Sequence, residues 1–243
     1  MSRSIDIAQT LDAGVARWPL LQHPFYKAWV AGDLALSDLA IYAGQYWRQV
    51  ETFPDCLEAL ATRSPGGPKV ALEANLSDEL DGDHLQLWRD FAAAVGSPRL
   101  DGIGVNDETR RCTQFFTKTA ESAPLAFALG AIYGYESQTP EVATTKRHSL
   151  RSLYGLGDQA VAYFEVHSGL DVEHAGQLAE AVEDVTGTDD GLRGTAVRGA
   201  EAGAAAIWGL LDGVWSAISG RPKRSPFVGT QAQVAARTFL VNH

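Results

Sequence analysis

Apolar residues recur at helical spacing along almost the whole chain, and this feature restricts its fold more than any other. Runs that alternate Val, Ile or Thr with polar residues between Asn-Gly turns, the mark of paired strands, are absent from the sequence. We therefore predict an all-α bundle of about eight helices, forming one domain over residues 1–221, and a tail at 222–243 of undecided role. The helical segments, bounded by Gly, Pro or Asp, are 5–16, 22–31, 37–63, 68–80, 84–95, 106–121, 124–153, 157–185 and 189–219.

Charge and composition restrict the partners. The 243 residues include 30 acidic and 20 basic side chains, and a net charge of −10 disfavours binding to nucleic acid. No stretch approaches the roughly 20 uninterrupted apolar residues of a membrane span. The start at 1–6 is acidic and amphipathic, unlike a secretory signal. Two cysteines, Cys56 and Cys112, suit a reducing compartment, so we expect a cytoplasmic protein whose partners are small molecules.

Three polar residues with metal-binding side chains share one face of a C-terminal helix. Offsets of four and seven place His167, Asp171 and His174 within a narrow arc, and Phe164 and Leu170 are apolar. Two imidazoles and a carboxylate can bind iron, manganese or zinc. A polar helix face with two chance histidines is the alternative, but the central position of the helix favours an inward-facing site, where a metal would satisfy the buried polar groups.

A glutamate interrupts an otherwise apolar helical segment at 125–136. Glu136 would be costly to bury as an unpaired ion. Pro140 cannot donate to the Glu136 carbonyl, so the helix should kink or loosen next to this carboxylate. We interpret Glu136 as a metal ligand, and a buried ion pair with Lys146 or Arg147 is the alternative.

A further carboxylate and histidine, Glu79 and His84, are separated by a predicted helix break at Gly82. A solvated helix end is the alternative for Glu79. Together the candidates comprise three carboxylates and three imidazoles, and two divalent ions with one bridging hydroxide would balance their charge. Such bundle sites hold di-iron or di-manganese centres that activate O2, and zinc hydrolysis is also compatible with these ligand types. The six are Glu79, His84, Glu136, His167, Asp171 and His174.

Several short motifs, in this order along the chain, resemble those of the haem-oxygenase-like di-metal oxidases and, within them, the CADD-type proteins. The resemblance spans roughly residues 10–215. It implies a haem-oxygenase-like or TenA-like fold and a homodimer. The motifs are His23–Trp29, Tyr42–Trp47, Phe53-Pro54, Asn75–Glu79 with His84, Leu87-Trp88, Tyr133–Gln138 and His167-x-x-x-Asp171-x-x-His174.

The resemblance implies metal ligands at the same six positions that residue type and spacing suggest. One departure is that the stretch between Glu79 and His84 is about two residues shorter than in CADD, which makes Asp78 a possible substitute for Glu79. The metals would be an Fe/Fe or Mn/Fe pair that works with O2, an external reductant and an unidentified reductase partner.

The resemblance also implies a reaction. CADD-type proteins are implicated in making 4-aminobenzoate, a folate precursor, from a tyrosine of the same chain, with a lysine as amine source. The matching residues are Tyr26 and Lys146. We expect Tyr42, Tyr46 and Tyr135 to line the cavity and hydrogen-bond to the ligands, and ordinary packing residues are the alternative for these three. Alternatively, Tyr26 is an ordinary core aromatic and Lys146 a surface lysine.

Other functions remain open at this level. One is an oxidase or N-oxygenase that turns over a free amine, amino acid or fatty acid in an apolar cavity. Another is a binding module that consumes no O2. A haem protein would use His23 as its axial ligand, and a thiaminase-like enzyme of the same fold would need a nucleophilic cysteine.

Overall fold

The computed structural model describes residues 6–220, and these form ten α-helices, one 3-10 turn at Leu20–Gln22 and no strand. The all-α prediction is therefore confirmed for the described part. Residues 1–5 and 221–243 lie outside it, so the domain boundary at 221 and the role of the tail stay predictions. The helices are α1 Ile7–Val15, α2 Pro24–Ala31, α3 Leu36–Arg63, α4 Gly66–Asp81, α5 His84–Ala94, α6 Asp107–Ser122, α7 Leu125–Glu136, α8 Thr139–Ser152, α9 Asp158–Thr186 and α10 Asp190–Ser219.

The helix count exceeds the predicted eight partly because the segment 124–153 forms two helices. Helix α7 ends at Glu136, and α8 begins at Thr139 with Pro140 in its first turn. A proline is tolerated in the first turn of a helix, where its missing N–H is not needed. The disruption that Pro140 predicts beside Glu136 is thus a complete break, which leaves this carboxylate at the end of a buried helix.

Helices α7 and α10 form the tightly packed centre of the bundle. They run in the same direction, and Gly130 and Gly134 lie against the carbonyls of Ala196 and Ala200. A Cβ atom at either glycine would lie 2.1 Å from the facing carbonyl oxygen, so only glycine permits this spacing. Within residues 6–220, α10 alone is long and apolar enough to span a membrane, and it packs here as a core helix.

The other long helices enclose the polar centre. Helix α9 packs against α4, α5, α7 and α8, so its middle lies inside the bundle. Helices α4 and α5 meet at a sharp turn where Asp83 has a left-handed backbone (φ 50°), a conformation that is costly for a residue with a side chain. This turn brings the end of α4 and the start of α5 to the same side of α9.

Candidate metal centre

The structure buries the predicted triplet on α9. The relative exposure of His167, Asp171 and His174 is 3–4%, and all three lie on the helix face that points into the bundle. Buried ionisable groups require partners, since an unpaired charge is expensive in a low-dielectric interior. The alternative of a solvent-facing polar surface is therefore wrong.

Glu79 and His84 meet the α9 triplet from α4 and α5. Glu79 Oε2 lies 2.9 Å from His84 Nδ1, and Oε1 lies 3.6 Å from His167 Nε2. One ligand atom from each of these three residues fits within a 4.8 Å cluster. Burial alone would raise the pKa of Glu79, but the two imidazoles outweigh it and lower the pKa to about 2. Glu79 is buried, so the reading as a solvated helix end is wrong.

Glu136 extends the cluster from the end of α7. Its Oε1 accepts a hydrogen bond from Asn75 Nδ2 at 2.7 Å, and its Oε2 is buried with no hydrogen-bond partner among the described residues. Burial, reinforced by the charge of Asp171, raises the pKa of Glu136. The alternative of an ion pair is wrong, because Lys146 donates to Tyr42 and Arg147 pairs with Glu165.

His174 lies between two carboxylates. Its Nδ1 is 3.6 Å from Asp171 Oδ1, and its Nε2 is 3.0 Å from Asp78 Oδ2. Burial alone would lower the pKa of His174, but the Asp171, Glu136 and Asp78 carboxylates outweigh it and raise the pKa to about 9. The structure thus separates Asp78 from Glu79. Glu79 lies inside the cluster, and Asp78 contacts it only from outside.

Two residues at the centre carry no assigned role in the sequence interpretation. Tyr163 accepts a hydrogen bond from His167 Nδ1 through its carbonyl (2.7 Å), and its ring stacks on the imidazole at 4.0 Å. Asn75 holds Glu136. Tyr163 lies one helical turn before His167, the ligand that it supports, and this i−4 spacing is a signal that the sequence offers. Asn75 supports a ligand 61 positions away, on another helix, and no local spacing signals that contact.

The donor set fits a metal centre. Nε2 of His84, Nδ1 of His174 and Oε2 of Glu136 are buried without hydrogen-bond partners among the described residues. Unsatisfied buried polar atoms cost about 1–3 kcal/mol each, and several in one cluster indicate that a bound group completes their interactions. Imidazole and carboxylate donors suit iron, manganese or zinc.

Two small cavities adjoin the cluster. One of about 10 Å³ is lined by Glu79, Glu136, His167 and Asp171 among others, and one of about 20 Å³ by Tyr26, Lys146 and His167 among others. Tyr135 lines both. A single water needs about 10–15 Å³, so each cavity has room for little more than one small molecule such as water.

Lys146 is buried, not on the surface. Its Nζ donates to Tyr42 Oη at 2.5 Å and lies 5.1 Å from the ring centroid of Tyr26. Burial lowers the pKa of Lys146 well below its usual value, which favours the neutral form of the amine. Burial raises the pKa of Tyr26 and of Tyr42. Tyr42 thus accepts a hydrogen bond from Lys146 and lines neither cavity, whereas Tyr46 lines the larger cavity and Tyr135 lines both. The hydrogen bonds from these tyrosines to the metal ligands stay predictions.

The structure does not favour the haem ligand or the nucleophilic cysteine that the alternative functions require. His23 Nδ1 accepts from the Phe25 N–H, and Nε2 lies 3.0 Å from Asp212 Oδ1, so neither nitrogen is available for a haem iron. Cys56 and Cys112 are buried, and burial raises the pKa of the Cys56 thiol to about 11. Neither cysteine therefore has the thiolate character of a nucleophile.

Comparison with known proteins identifies the family. The sequence profile of iron-containing redox enzymes matches residues 40–208. The 4-aminobenzoate synthase of Chlamydia pneumoniae is 30% identical over 187 residues, which is 75% of this chain and 84% of that protein. That of Nitrosomonas europaea is 30% identical over 85% of this chain and 89% of its own length. The chain belongs to the CADD-like 4-aminobenzoate synthase family. It is an iron-containing redox enzyme of this family.

Solved structures confirm the predicted haem-oxygenase-like and TenA-like fold. A TenA homologue from Pseudomonas syringae superimposes with a TM-score of 0.75 at 17% identity, covering 86% of this chain and 91% of that one. A CADD-like protein of unknown function from Nostoc punctiforme gives 0.71 at 15% identity, with coverages of 87% and 98%. At these identities the likeness concerns the fold alone.

Proposed function

We propose that this 4-aminobenzoate synthase family member makes 4-aminobenzoate from the side chain of its own Tyr26, once per chain. The observation that carries the proposal is the placement of Lys146 Nζ 5.1 Å from the Tyr26 ring centroid, beside a cavity that also touches His167. A ring, a neutral amine and a candidate metal ligand thus meet in one closed space. The relatives that carry the name 4-aminobenzoate synthase support the same product.

The size of the cavities favours an internal source for the ring. Pockets that bind small-molecule ligands typically measure about 300–1,000 Å³. The spaces beside Lys146 and Glu136 measure about 20 and 10 Å³, too little for a free amino acid or a fatty acid. Tyr26 already occupies the space that an external aromatic substrate would need, with 2% of its surface exposed.

The six clustered residues would hold two metal ions, an Fe/Fe or Mn/Fe pair. Glu79, His84 and His167 form one compact set of donors. The other three, Glu136, Asp171 and His174, supply a second set beside it. Reduced iron in this centre, maintained by an external reductant, would supply the chemistry that activates O2.

The protein's own residues define what happens around Tyr26. Breaking the Cα–Cβ bond and adding both atoms of one O2 to Cβ would give a carboxyl group. Of the two Cβ hydrogens, one would pass to Cα, which leaves glycine at position 26, and the other would remain on the carboxyl group. The phenol oxygen must be exchanged for nitrogen. Lys146 is placed to supply that nitrogen, because burial favours its neutral amine and Tyr42 holds it beside the ring. In this exchange the ring C–O bond and the Cε–Nζ bond of Lys146 would break, a ring C–N bond would form, and the oxygen would end on Cε as a hydroxyl group. An accessory role for Lys146, in which it is oxidised, predicts the same dependence on this residue.

The test is single-turnover chemistry with matched tyrosine variants. Metal-free protein is loaded with Fe²⁺, with and without Mn²⁺, and given O2 and a reductant, and the intact mass, peptide map and released 4-aminobenzoate are recorded. Tyr26→Phe should release none. Tyr133→Phe should behave as wild type, because the Tyr133 hydroxyl bonds Asp12 away from the site. Product from Tyr26→Phe at the wild-type level, or rapid O2 consumption with Tyr26 intact, would point to an external substrate instead.

The cytoplasmic location, the homodimer, the reductase partner and the exclusion of nucleic acid and membrane as partners stay predictions. They follow from composition and family resemblance.

A further inference from the structure

Asp78 is not one of the six candidate ligands, yet its carboxylate contacts one of them. Its Oδ2 lies 3.0 Å from Nε2 of His174, with hydrogen-bond geometry. The Asp78 side chain is about half exposed (48%), whereas that of His174 is buried (3%). Asp78 therefore approaches the imidazole from the solvent side.

The contact determines which nitrogen of His174 faces the cluster. A neutral imidazole has one N–H donor and one lone pair, and a carboxylate can only accept. With Nε2 donating to Asp78, the lone pair is on Nδ1. That atom is buried without a hydrogen-bond partner and lies 3.6 Å from Asp171 Oδ1, on the side of the candidate metal centre.

In His167 the hydrogen bond fixes the opposite tautomer. Its Nδ1 donates to the carbonyl of Tyr163, one turn earlier on its own helix, which leaves Nε2 directed at Glu79. A hydrogen bond from Nδ1 to the backbone carbonyl one turn earlier occupies Nδ1, so a histidine that binds the metal through Nδ1 cannot make it. His174 therefore needs an acceptor from another helix, and α4 supplies Asp78.

Helix geometry explains how two adjacent acids take different roles. Consecutive side chains on an α-helix point about 100° apart. On α4, Glu79 points into the cluster and is 8% exposed, while Asp78 points past it towards the outer edge of His174. The same turn of α4 thus carries a candidate ligand, Glu79, and the residue that contacts His174, which is Asp78.

We propose that Asp78 is a positioning residue of the metal centre, which holds the His174 proton on Nε2 so that Nδ1 binds the metal. This inference rests on the proposed metal site. Carboxylate partners of ligating histidines fix the ring and the tautomer, and their removal typically weakens metal binding about 10–100-fold.

Metal affinity provides the first test. Mn²⁺ is titrated into metal-free protein and the free ion is followed by its EPR signal, for wild type, Asp78→Ala and Asp81→Ala, because alanine removes the acceptor that asparagine would keep. The substitution at Asp81 is the matched control, because it removes the same charge from the same end of α4. Among the contacts described, the Asp81 side chain accepts a hydrogen bond only from Ser77. We expect one of two Mn²⁺ sites to weaken about 10–100-fold in Asp78→Ala and little change in Asp81→Ala.

The outcomes separate the inference from the proposed function. Equal affinities in the two variants overturn the role of Asp78 while the metal centre stands. Complete loss of one site in Asp78→Ala would make Asp78 a ligand and would also overturn the role of Asp78 as a positioning residue. Wild-type protein that binds no Mn²⁺, Fe²⁺ or Zn²⁺ would contradict the metal centre itself.

A second measurement needs no variant. In Zn²⁺-loaded wild-type protein labelled with ¹⁵N-histidine, long-range ¹H–¹⁵N correlations identify the metal-bound nitrogen of each ring. We expect His174 to bind through Nδ1 with a protonated Nε2, and His167 to bind through Nε2 with a protonated Nδ1. Binding of His174 through Nε2 would refute the proposal even if the variants failed to fold.

Discussion

The spacing between α7 and α10 provides a sharp test of the fold, because these helices approach so closely that a single methyl group cannot be added. At Gly203 an ideal Cβ would lie 2.1 Å from the Ala131 carbonyl oxygen and 2.9 Å from its carbon. Real Cβ contacts start near 3.0 Å, so Gly203→Ala must push the helices apart by about 1 Å. Inserting a methyl group into a packed core costs about 1–3 kcal/mol.

The same helix contains a matched control. Gly209 on α10 has no atom within 4 Å of the position that a Cβ would occupy, so Gly209→Ala adds only helix propensity. It should raise the free energy of unfolding by about 0.5–1 kcal/mol. Gly203→Ala should instead lower it by about 1–3 kcal/mol, a fall in Tm of about 2–12 °C for a domain of this size.

Urea unfolding of the metal-free proteins, followed by circular dichroism, measures both changes. Since α7 carries Glu136 at its end, a shift of α7 should also weaken metal binding in Gly203→Ala but not in Gly209→Ala. If the two variants unfold at the same urea concentration, the close approach of α7 and α10 is not as described, and the placement of Glu136 loses its basis.

Two further predictions concern protonation. The free energy of unfolding of wild type should rise relative to that of Lys146→Met as the pH increases from 7 towards 10, because the buried amine is neutral in the folded protein while the unfolded chain binds the extra proton. Each unit by which the pKa of Lys146 is lowered is worth about 1.4 kcal/mol. Urea titrations that show a constant difference between the two proteins would contradict the neutral amine. Metal binding at pH 7 should release at least one proton per chain, and the affinity should rise with pH up to about 9, because His174 must lose a proton to become a ligand. Calorimetry in buffers of different ionisation enthalpy measures the number of protons released. Binding without proton release would contradict the assignment of His174 as a ligand.

Much of the fold follows from local patterns. Hydrophobic periodicity identifies most helices because each buries one face, and Pro140 identifies the disruption at Glu136 because it removes a backbone donor. The pattern does not show that α7 and α8 are separate helices. That outcome depends on how the chain packs on both sides of Ser137, and this is tertiary information.

The candidate site is only partly readable from sequence. The triplet on α9 can be predicted from the sequence, because a single helix fixes the relative positions of its residues. The choice between Asp78 and Glu79 is not, since it depends on the rotation of α4 against α9, and the sequence does not specify that rotation. The burial of Lys146 is likewise hidden, because lysines are mostly exposed and its partner Tyr42 lies 104 positions away.

The most direct test of the central claim follows the ring carbons. Protein produced with ring-¹³C tyrosine is purified metal-free, loaded with Fe²⁺ and Mn²⁺, and exposed to O2 and reductant together with unlabelled tyrosine and unlabelled lysate metabolites. If the ring comes from Tyr26, the released 4-aminobenzoate is fully labelled and does not exceed one molecule per chain. Unlabelled product, formed over many turnovers by a chain that keeps its Tyr26 side chain, would contradict the account.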